Sequence, residues 1–190
     1  MVKNIMIVGV GGQGTLLASK LLGWVLVNQG YDVKVSEVHG MSQRGGSVVT
    51  YVRFGEKVYS PVIDKGEADV ILSFELLEAA RWLEYLKPNG KIIVNTQKME
   101  PMPVITGSAE YPENLVDKMK NAGADVDAQD FLKIANNAGS SKAVNIALMG
   151  RLSKAFEEIP ESVWVEGIKA NVPPKFLELN LKAFEMGRGK

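Results

Sequence analysis

The sequence predicts an α/β protein: a three-layer α/β/α sandwich with a Rossmann-like start, a mixed but mostly parallel sheet carrying one antiparallel hairpin, and a helical C-terminal third. Three observations predict it. Short apolar runs closed by glycine or polar turns alternate with segments of helical period, as strands buried on both faces alternate with crossover helices. One stretch, residues 47–59, has β-branched alternation around a Phe54-Gly55-Glu56-Lys57 turn and so predicts an antiparallel element within the parallel frame. Beyond residue 141, helical periodicity is broken only at Pro160 and Pro173.

Taken in order, residues 4–8 form an apolar run ended by Gly9, which suits a buried strand. From residue 13 to 28, Leu16, Leu17, Leu21, Trp24, Val25 and Val27 recur mostly three or four apart, and Gly30 stands where a helix stops. Residues 31–37 alternate as a second strand, a loop comes next, and 47–54 is the first arm of the expected hairpin, with Val58-Tyr59 as the second. Residues 68–73 predict a strand, 75–86 an amphipathic helix stopped by Lys87-Pro88-Asn89-Gly90, and 91–95 a further strand. Prolines restrict 100–105 to an edge strand or loop, because proline cannot donate to a ladder. The remaining elements are a helix over 111–122 with Pro112 in its first turn, a short strand at 125–127, and helices at 128–137, 141–157, 161–170 and 174–186. No repeat or composition break divides the chain, so residues 1–190 are expected to be one domain with a helical part at about 141–186.

Composition narrows the function. The 190 residues are 46% hydrophobic and 23% charged, which is globular rather than disordered. Twenty-two basic residues balance twenty-two acidic ones, so no net field draws the chain to nucleic acid or an anionic membrane. There is no cysteine, which excludes a disulfide, a thiolate zinc site and an iron–sulfur cluster ligated by this chain. The single histidine and scattered carboxylates offer no metal-ligand spacing, so no metal site is expected. No apolar stretch reaches about 18 residues and none has the pattern of a cleaved leader, so the expected location is the cytoplasm.

The chemistry concentrates in two segments. Gly9-Val10-Gly11-Gly12-Gln13-Gly14 has G-x-G-x-x-G spacing between an expected strand and an expected helix, the context that gives the spacing meaning. Glycines permit the tight turn and remove the Cβ atoms that would keep a phosphate away, while the N–H groups of the helix start face the anion and Thr15 adds a hydroxyl. The bland alternative is a turn whose glycines only let the helix pack on the sheet. For a dinucleotide enzyme, Glu37 stands roughly where a ribose-binding carboxylate is needed. The chain continues from it, however, as the polar loop Val38-His39-Gly40-Met41-Ser42-Gln43-Arg44-Gly45-Gly46 rather than as a crossover helix, which weakens the nicotinamide reading.

In that loop Ser42, Gln43 and Arg44 concentrate donors beside Gly45 and Gly46, and Arg44 is the strongest anion-contacting candidate because its planar guanidinium holds a carboxylate or phosphate at two points. A solvated surface arginine is the competing account. Histidine is the side chain whose unperturbed charge change falls near neutral pH, which makes His39 the one candidate acid or base, but no orienting carboxylate is identified beside it, so a structural role is the stronger expectation. Asn145, set among Val144, Ile146, Leu148 and Met149, is expected to cap or bridge core elements.

These segments together, with Ser60-Pro61 before Ala68-Asp69, resemble the γ-type domain of 2-oxoacid:ferredoxin oxidoreductases over most of the chain. His39-Gly40-Met41-Ser42-Gln43-Arg44-Gly45-Gly46 and Ser73-Phe74-Glu75-Leu76-Leu77-Glu78 are similar to the small (β) subunits of the indolepyruvate branch. The resemblance implies a subunit, inactive alone, of an enzyme that oxidatively decarboxylates an aryl-2-oxoacid to an acyl-CoA and reduces ferredoxin. It implies a larger α subunit housing thiamine diphosphate and iron–sulfur clusters, with no cofactor held by this chain alone. The glycine turn and the arginine loop, Gly9, Gly11, Gly12, Gln13, Gly14, Thr15, Ser42, Gln43, Arg44, Gly45 and Gly46, then receive coenzyme A or brace the partner. Pyruvate or branched 2-oxoacids as substrates, a self-contained NAD(P)-dependent oxidoreductase, and a cofactor-free binding module stay open.

Overall fold

The computed structural model describes residues 1–39 and 45–189, without the His39 side chain. Six strands form one sheet in the order β2-β3-β1-β4-β5-β6: β1 (Lys3–Val10), β2 (Asp32–His39), β3 (Ser47–Gly55), β4 (Ala68–Ser73), β5 (Leu86–Asn95) and β6 (Asp125–Gln129). Strands β1, β4, β5 and β6 run parallel, and β3 lies antiparallel between β1 and β2.

Alternation in β1 builds both cores. Ile5 and Ile7 face one cluster with Val52, Phe54, Leu72 and Ile93, while Met6 and Val8 face the other with Val49, Ile71, Ile92 and Val94. The first face is covered by α1 (Thr15–Asn28), α5 (Phe131–Ala138), α6 (Val144–Ser153), α7 (Glu161–Asn171) and α8 (Leu177–Arg188). The second is covered by α2 (Leu76–Arg81) and α4 (Leu115–Asn121). The expected three layers and mixed sheet are therefore present.

The C-terminal helices pack unusually close. A Cβ on Gly150 of α6 would lie 2.2 Å from the Phe184 carbonyl oxygen, and one on Gly187 of α8 2.0 Å from that of Ala147. Glycine is required at both positions because the two backbones are in contact.

Several local expectations differ from what forms. The hairpin exists, but its arms are β2 and β3, in the register His39 to Val48 and Asp32 to Gly55; no strand forms at Val58-Tyr59. Instead the Val58 N–H donates to Asp32 Oδ2 at 2.9 Å, which anchors the segment to the start of β2. The expected helix at 75–86 ends at Arg81, continues as a 3-10 turn (Leu83–Tyr85), and β5 begins at Leu86 with a register shift before Lys91. The proline-bearing 100–105 segment folds as a short helix, α3 (Met102–Ile105), with proline in its first turn, where a missing N–H costs nothing. Pro112 lies ahead of α4, not within it.

Candidate functional site

In open α/β sheets ligands gather beyond the C-terminal strand ends, where the chain leaves one strand for opposite sides of the sheet. Strand β1 is that point: the chain passes from it to β2 on one side, and β4 lies on the other. The glycine turn caps it. Gly12 and Gly14 hold φ of +98° and +89°, the left-handed region that glycine alone occupies without strain. No side chain caps α1, so the N–H groups of its first turn are left for water or a ligand.

Gln13 is turned inward. Its Oε1 accepts from the Val10 N–H at 2.7 Å, and its Nε2 donates to the Phe74 carbonyl at 3.1 Å, tying the turn to the end of β4. Both ends of the amide are thus engaged within the protein, and Gln13 shapes the turn. Gly9 makes room for it, since a Cβ there would lie 2.9 Å from Gln13 Oε1 and 2.9 Å from Phe74 Cβ. Thr15 is buried and lines the cleft beside the turn that Gly11, Gly12 and Gly14 share with Glu37.

Of the loop candidates in the second predicted segment, only Gly45 and Gly46, at its exit, are described. The Gly11 N–H donates to the Gly46 carbonyl at 2.9 Å, so the turn and the exit of the arginine loop are joined directly. Ser42, Gln43, Arg44 and the His39 side chain lie outside the described residues. Glu37 and Val48 line a cleft of about 420 Å³ with Gly11, Gly12 and Gly14. Because β3 separates β2 from β1, however, Glu37 is two strand spacings from the turn, roughly 10 Å.

On the other side of the turn is a larger cleft of about 740 Å³, whose walls include Gly12, Gly14, Gln97, Ser141, Lys142 and Asn145. Lys142 is the one charged residue among its described lining residues. Lys142 and Ser141 come from the 3-10 turn (Ser141–Ala143) that opens α6, where the Ser140 hydroxyl accepts the Lys142 N–H at 3.3 Å. The order of the C-terminal ends is set by buried Asn95, which donates to the Phe74 carbonyl at 3.2 Å and accepts from the Phe131 N–H at 3.0 Å. This cleft combines glycine N–H groups, a hydroxyl, an amide and an ammonium, a donor set suited to phosphate.

A third pocket, about 290 Å³, has the opposite character, with Glu75, Glu78 and Glu100 against Arg81 among its described lining residues. Glu75 is buried and accepts from the Glu78 N–H (2.8 Å), the Met99 N–H (3.0 Å) and the Tyr111 hydroxyl (2.6 Å). Burial, then the bond to Glu75, pushes the Tyr111 phenol well above its ordinary value. Burial likewise pushes the Glu78 carboxyl up, against the opposing Ser47 hydrogen bond and Arg81 charge. These groups fasten α2 to β3 and to the segment before α3, and their charge repels an anion.

Lys142, Ser141 and Gln97 carry no motif that sequence reasoning recognises, and Asn145 reads there as a core residue. The only sequence signal for them is the Gly139-Ser140-Ser141-Lys142 run at a helix start, the same donor-rich pattern that marks the arginine loop.

Residues 4–189 match the model of the family described as pyruvate ferredoxin/flavodoxin oxidoreductase. The indolepyruvate oxidoreductase subunit IorB of Thermococcus kodakarensis is 47% identical, over 97% of this chain and 93% of that protein. A pyruvate oxidoreductase subunit from Thermotoga maritima superposes with a TM-score of 0.77 at 20% identity, covering 100% of this chain and 96% of that one. The 2-oxoglutarate:ferredoxin oxidoreductase of Magnetococcus marinus, solved with 2-oxoglutarate, coenzyme A and succinyl-CoA bound, superposes with a TM-score of 0.75 at 21% identity, covering 99% of this chain but 30% of that one. The glycine turn, the mixed sheet and the family match converge on one statement: this chain belongs to the pyruvate ferredoxin/flavodoxin oxidoreductase family, as a γ-type subunit of a 2-oxoacid oxidoreductase.

Proposed function

We propose that the chain, as one γ-type unit over residues 1–190, serves a cytoplasmic complex that oxidatively decarboxylates aryl pyruvates such as indolepyruvate and passes the electrons to ferredoxin. Its own part is to hold coenzyme A at the glycine turn. The observation that carries this reading is the cleft in which the uncapped start of α1 faces Lys142 and Ser141 across left-handed glycines. Diphosphate oxygens would accept from the N–H groups of the turn, and Lys142 would balance their charge. When bound, coenzyme A supplies the thiol that takes the acyl group. Gly11 is joined to Gly46, at the exit of the arginine loop, and we assign Ser42, Gln43, Arg44, Gly45 and Gly46 to the ligand or to the partner surface that closes over it.

The redox chemistry belongs to a larger α subunit that carries thiamine diphosphate and iron–sulfur clusters, since this sequence has no thiolate to ligate a cluster. The aryl-pyruvate preference rests on the 47% identity to the IorB subunit. A nicotinamide site is disfavoured by β3, which stands between β2 and β1 where a dinucleotide domain sets the two side by side. The test is to reconstitute the chain with its α partner and measure viologen or ferredoxin reduction. Indolepyruvate should drive reduction that needs both chains and coenzyme A. NAD(P)-dependent activity of the chain alone, or a complex that prefers pyruvate, would overturn the reading.

A further inference from the structure

Ser73-Phe74-Glu75-Leu76-Leu77-Glu78 carries two carboxylates that take no part in holding phosphate. Both are buried, Glu75 at 1% exposure and Glu78 at 5%. Burying a carboxylate is costly unless donors converge on it, so the donors each one gathers show what it holds in place.

Glu75, just ahead of α2, holds the segment that follows β5. Its Oε1 accepts from the Met99 N–H at 3.0 Å and the Tyr111 hydroxyl at 2.6 Å, while its Oε2 accepts from the Glu78 N–H at 2.8 Å and caps α2. The next residue adds a second grip, because the Leu76 N–H donates to the Gln97 carbonyl at 3.0 Å. Residues 96–101 belong to no strand or helix, so no ladder fixes their course and bonds of this kind do. Gln97 and Met99 line the cleft of about 740 Å³ beside the glycine turn, and Met99, Glu100 and Pro101 line the acidic pocket. The segment is the partition between the two, and Glu75 sets where it stands.

Glu78, one helical turn on, reaches the other way. Its Oε2 accepts from the Ser47 hydroxyl, and its Oε1 lies 3.4 Å from Arg81 Nε. Ser47 opens β3 and directly follows Gly46, whose carbonyl accepts from the Gly11 N–H. The exit of the arginine loop is therefore pinned on one side to the glycine turn and on the other to α2.

We infer that Glu75 and Glu78 form a positioning fork: from one turn of α2, Glu75 sets the 97–101 wall and Glu78 sets the arginine-loop exit, so that both stand in register with the glycine turn. Neither carboxylate is among the described lining residues of the phosphate cleft, so each acts through the segment it holds. The inference rests on the proposal that coenzyme A binds at the turn. Losing one arm displaces a wall of the cleft and leaves the reacting groups alone, which raises half-saturating coenzyme A without lowering kcat.

The test pairs kinetics of the reconstituted complex with peptide-resolved hydrogen exchange of the full chain. Ser47→Ala and Glu78→Ala should each speed exchange at residues 45–48, and Glu75→Gln at residues 97–101. All three should raise half-saturating coenzyme A about fivefold or more, with kcat within about twofold of the parent. Glutamine separates the two arms. Glu78→Gln keeps an oxygen for the Ser47 hydroxyl and should restore parental half-saturation, whereas Glu75→Gln sets an NH2 against a backbone N–H whichever way the amide lies, and should not. Tyr111→Phe, a milder change, removes one donor from Glu75 and should give a smaller rise in the same direction. Phe54→Leu, a buried change at the far end of β3, controls for lost stability and should leave half-saturation unchanged. Faster local exchange with parental half-saturation in Ser47→Ala, Glu78→Ala and Glu75→Gln overturns the inference, and the bonds are then structural only. An equal rise in Phe54→Leu overturns it as well. If the fork variants raise half-saturating 2-oxoacid instead, while Gly12→Asp leaves coenzyme A unaffected, the fork stands and the coenzyme A reading falls. If Gly12→Asp raises half-saturating coenzyme A while the fork variants keep parental values, coenzyme A stays at the turn and the fork falls.

Discussion

Replacing Gln13 by alanine should cost stability through one identifiable atom. The side chain accepts from the Val10 N–H at 2.7 Å and donates to the Phe74 carbonyl at 3.1 Å. The Phe74 carbonyl keeps a second donor in Asn95 Nδ2 at 3.2 Å, so its loss is one ordinary bond. Val10 is 7% exposed, and its N–H is left with no acceptor. An orphaned buried donor costs about 1–3 kcal/mol and a lost neutral bond about 0.5–1.5 kcal/mol, for a sum of roughly 2–4 kcal/mol. For a chain of this size each kcal/mol lowers Tm by about 2–4 °C, so Gln13→Ala should melt roughly 5–15 °C below the parent by calorimetry or circular dichroism. Gln13→Glu keeps the acceptor for Val10 but sets a carboxylate oxygen against the Phe74 carbonyl, so it should be destabilised as well. A Tm for Gln13→Ala within about 1 °C of the parent would refute the latch.

Other outcomes rest on single contacts. Gly187→Ala and Gly150→Ala place a Cβ 2.0 and 2.2 Å from backbone oxygens, so each should cost more than about 3 kcal/mol in urea unfolding, far beyond a surface glycine such as Gly107. Lys142→Glu should raise the half-saturating coenzyme A concentration about tenfold or more in the complex while leaving Tm near the parent, since the side chain is exposed. Burial raises the Glu78 carboxyl above its ordinary 4.5, so the folded state holds that proton more tightly than the unfolded chain. The resulting stability is present at low pH and lost as pH rises through the folded value; Glu78→Gln should remove that part of the pH dependence and gain on the parent as pH rises. Asp127 has the opposite sign. Burial raises it, but Arg151 and Gln129, with the Lys91 charge, outweigh burial and hold it low, so its contribution is present above about pH 4 and lost in acid, and Asp127→Asn should flatten the acid limb.

The glycine turn was legible because its motif is local: spacing, preceding strand and succeeding helix lie within about 30 residues. The same holds for α7 and for the 3-10 turn leading into α8, which Pro160 and Pro173 cap, whereas the helix expected over 141–157 forms only at Val144–Ser153 behind a 3-10 turn. Alternation in residues 47–54 identified a strand but not its neighbours, because a period of two reports which face is buried and says nothing of pairing. Hence β3's place between β1 and β2, which displaces Glu37, emerged only from the register. Lys142 and Asn145 are some 130 residues from the turn they face, and no local pattern reports such an encounter. The expectation that Asn145 engages its amide within the core holds for Oδ1 alone. A Cβ on Gly14 would come within 2.9 Å of Asn145 Nδ2, so the third glycine of the motif exists in part to admit this amide.

The most direct test of the phosphate seat compares Gly12→Ala with Gly12→Asp in the reconstituted complex, titrating coenzyme A against 2-oxoacid-dependent acceptor reduction. A Cβ at Gly12 meets nothing within 4 Å and the backbone sits at φ +98°, so both variants carry the same strain and differ in the charge set into the cleft. The account predicts that half-saturating coenzyme A rises in Gly12→Ala, whose Cβ enters the phosphate seat, and rises about tenfold or more above the parent in Gly12→Asp, which adds a negative charge. Half-saturation in both variants equal to that of the parent would contradict it, and the glycine turn would then be a packing device.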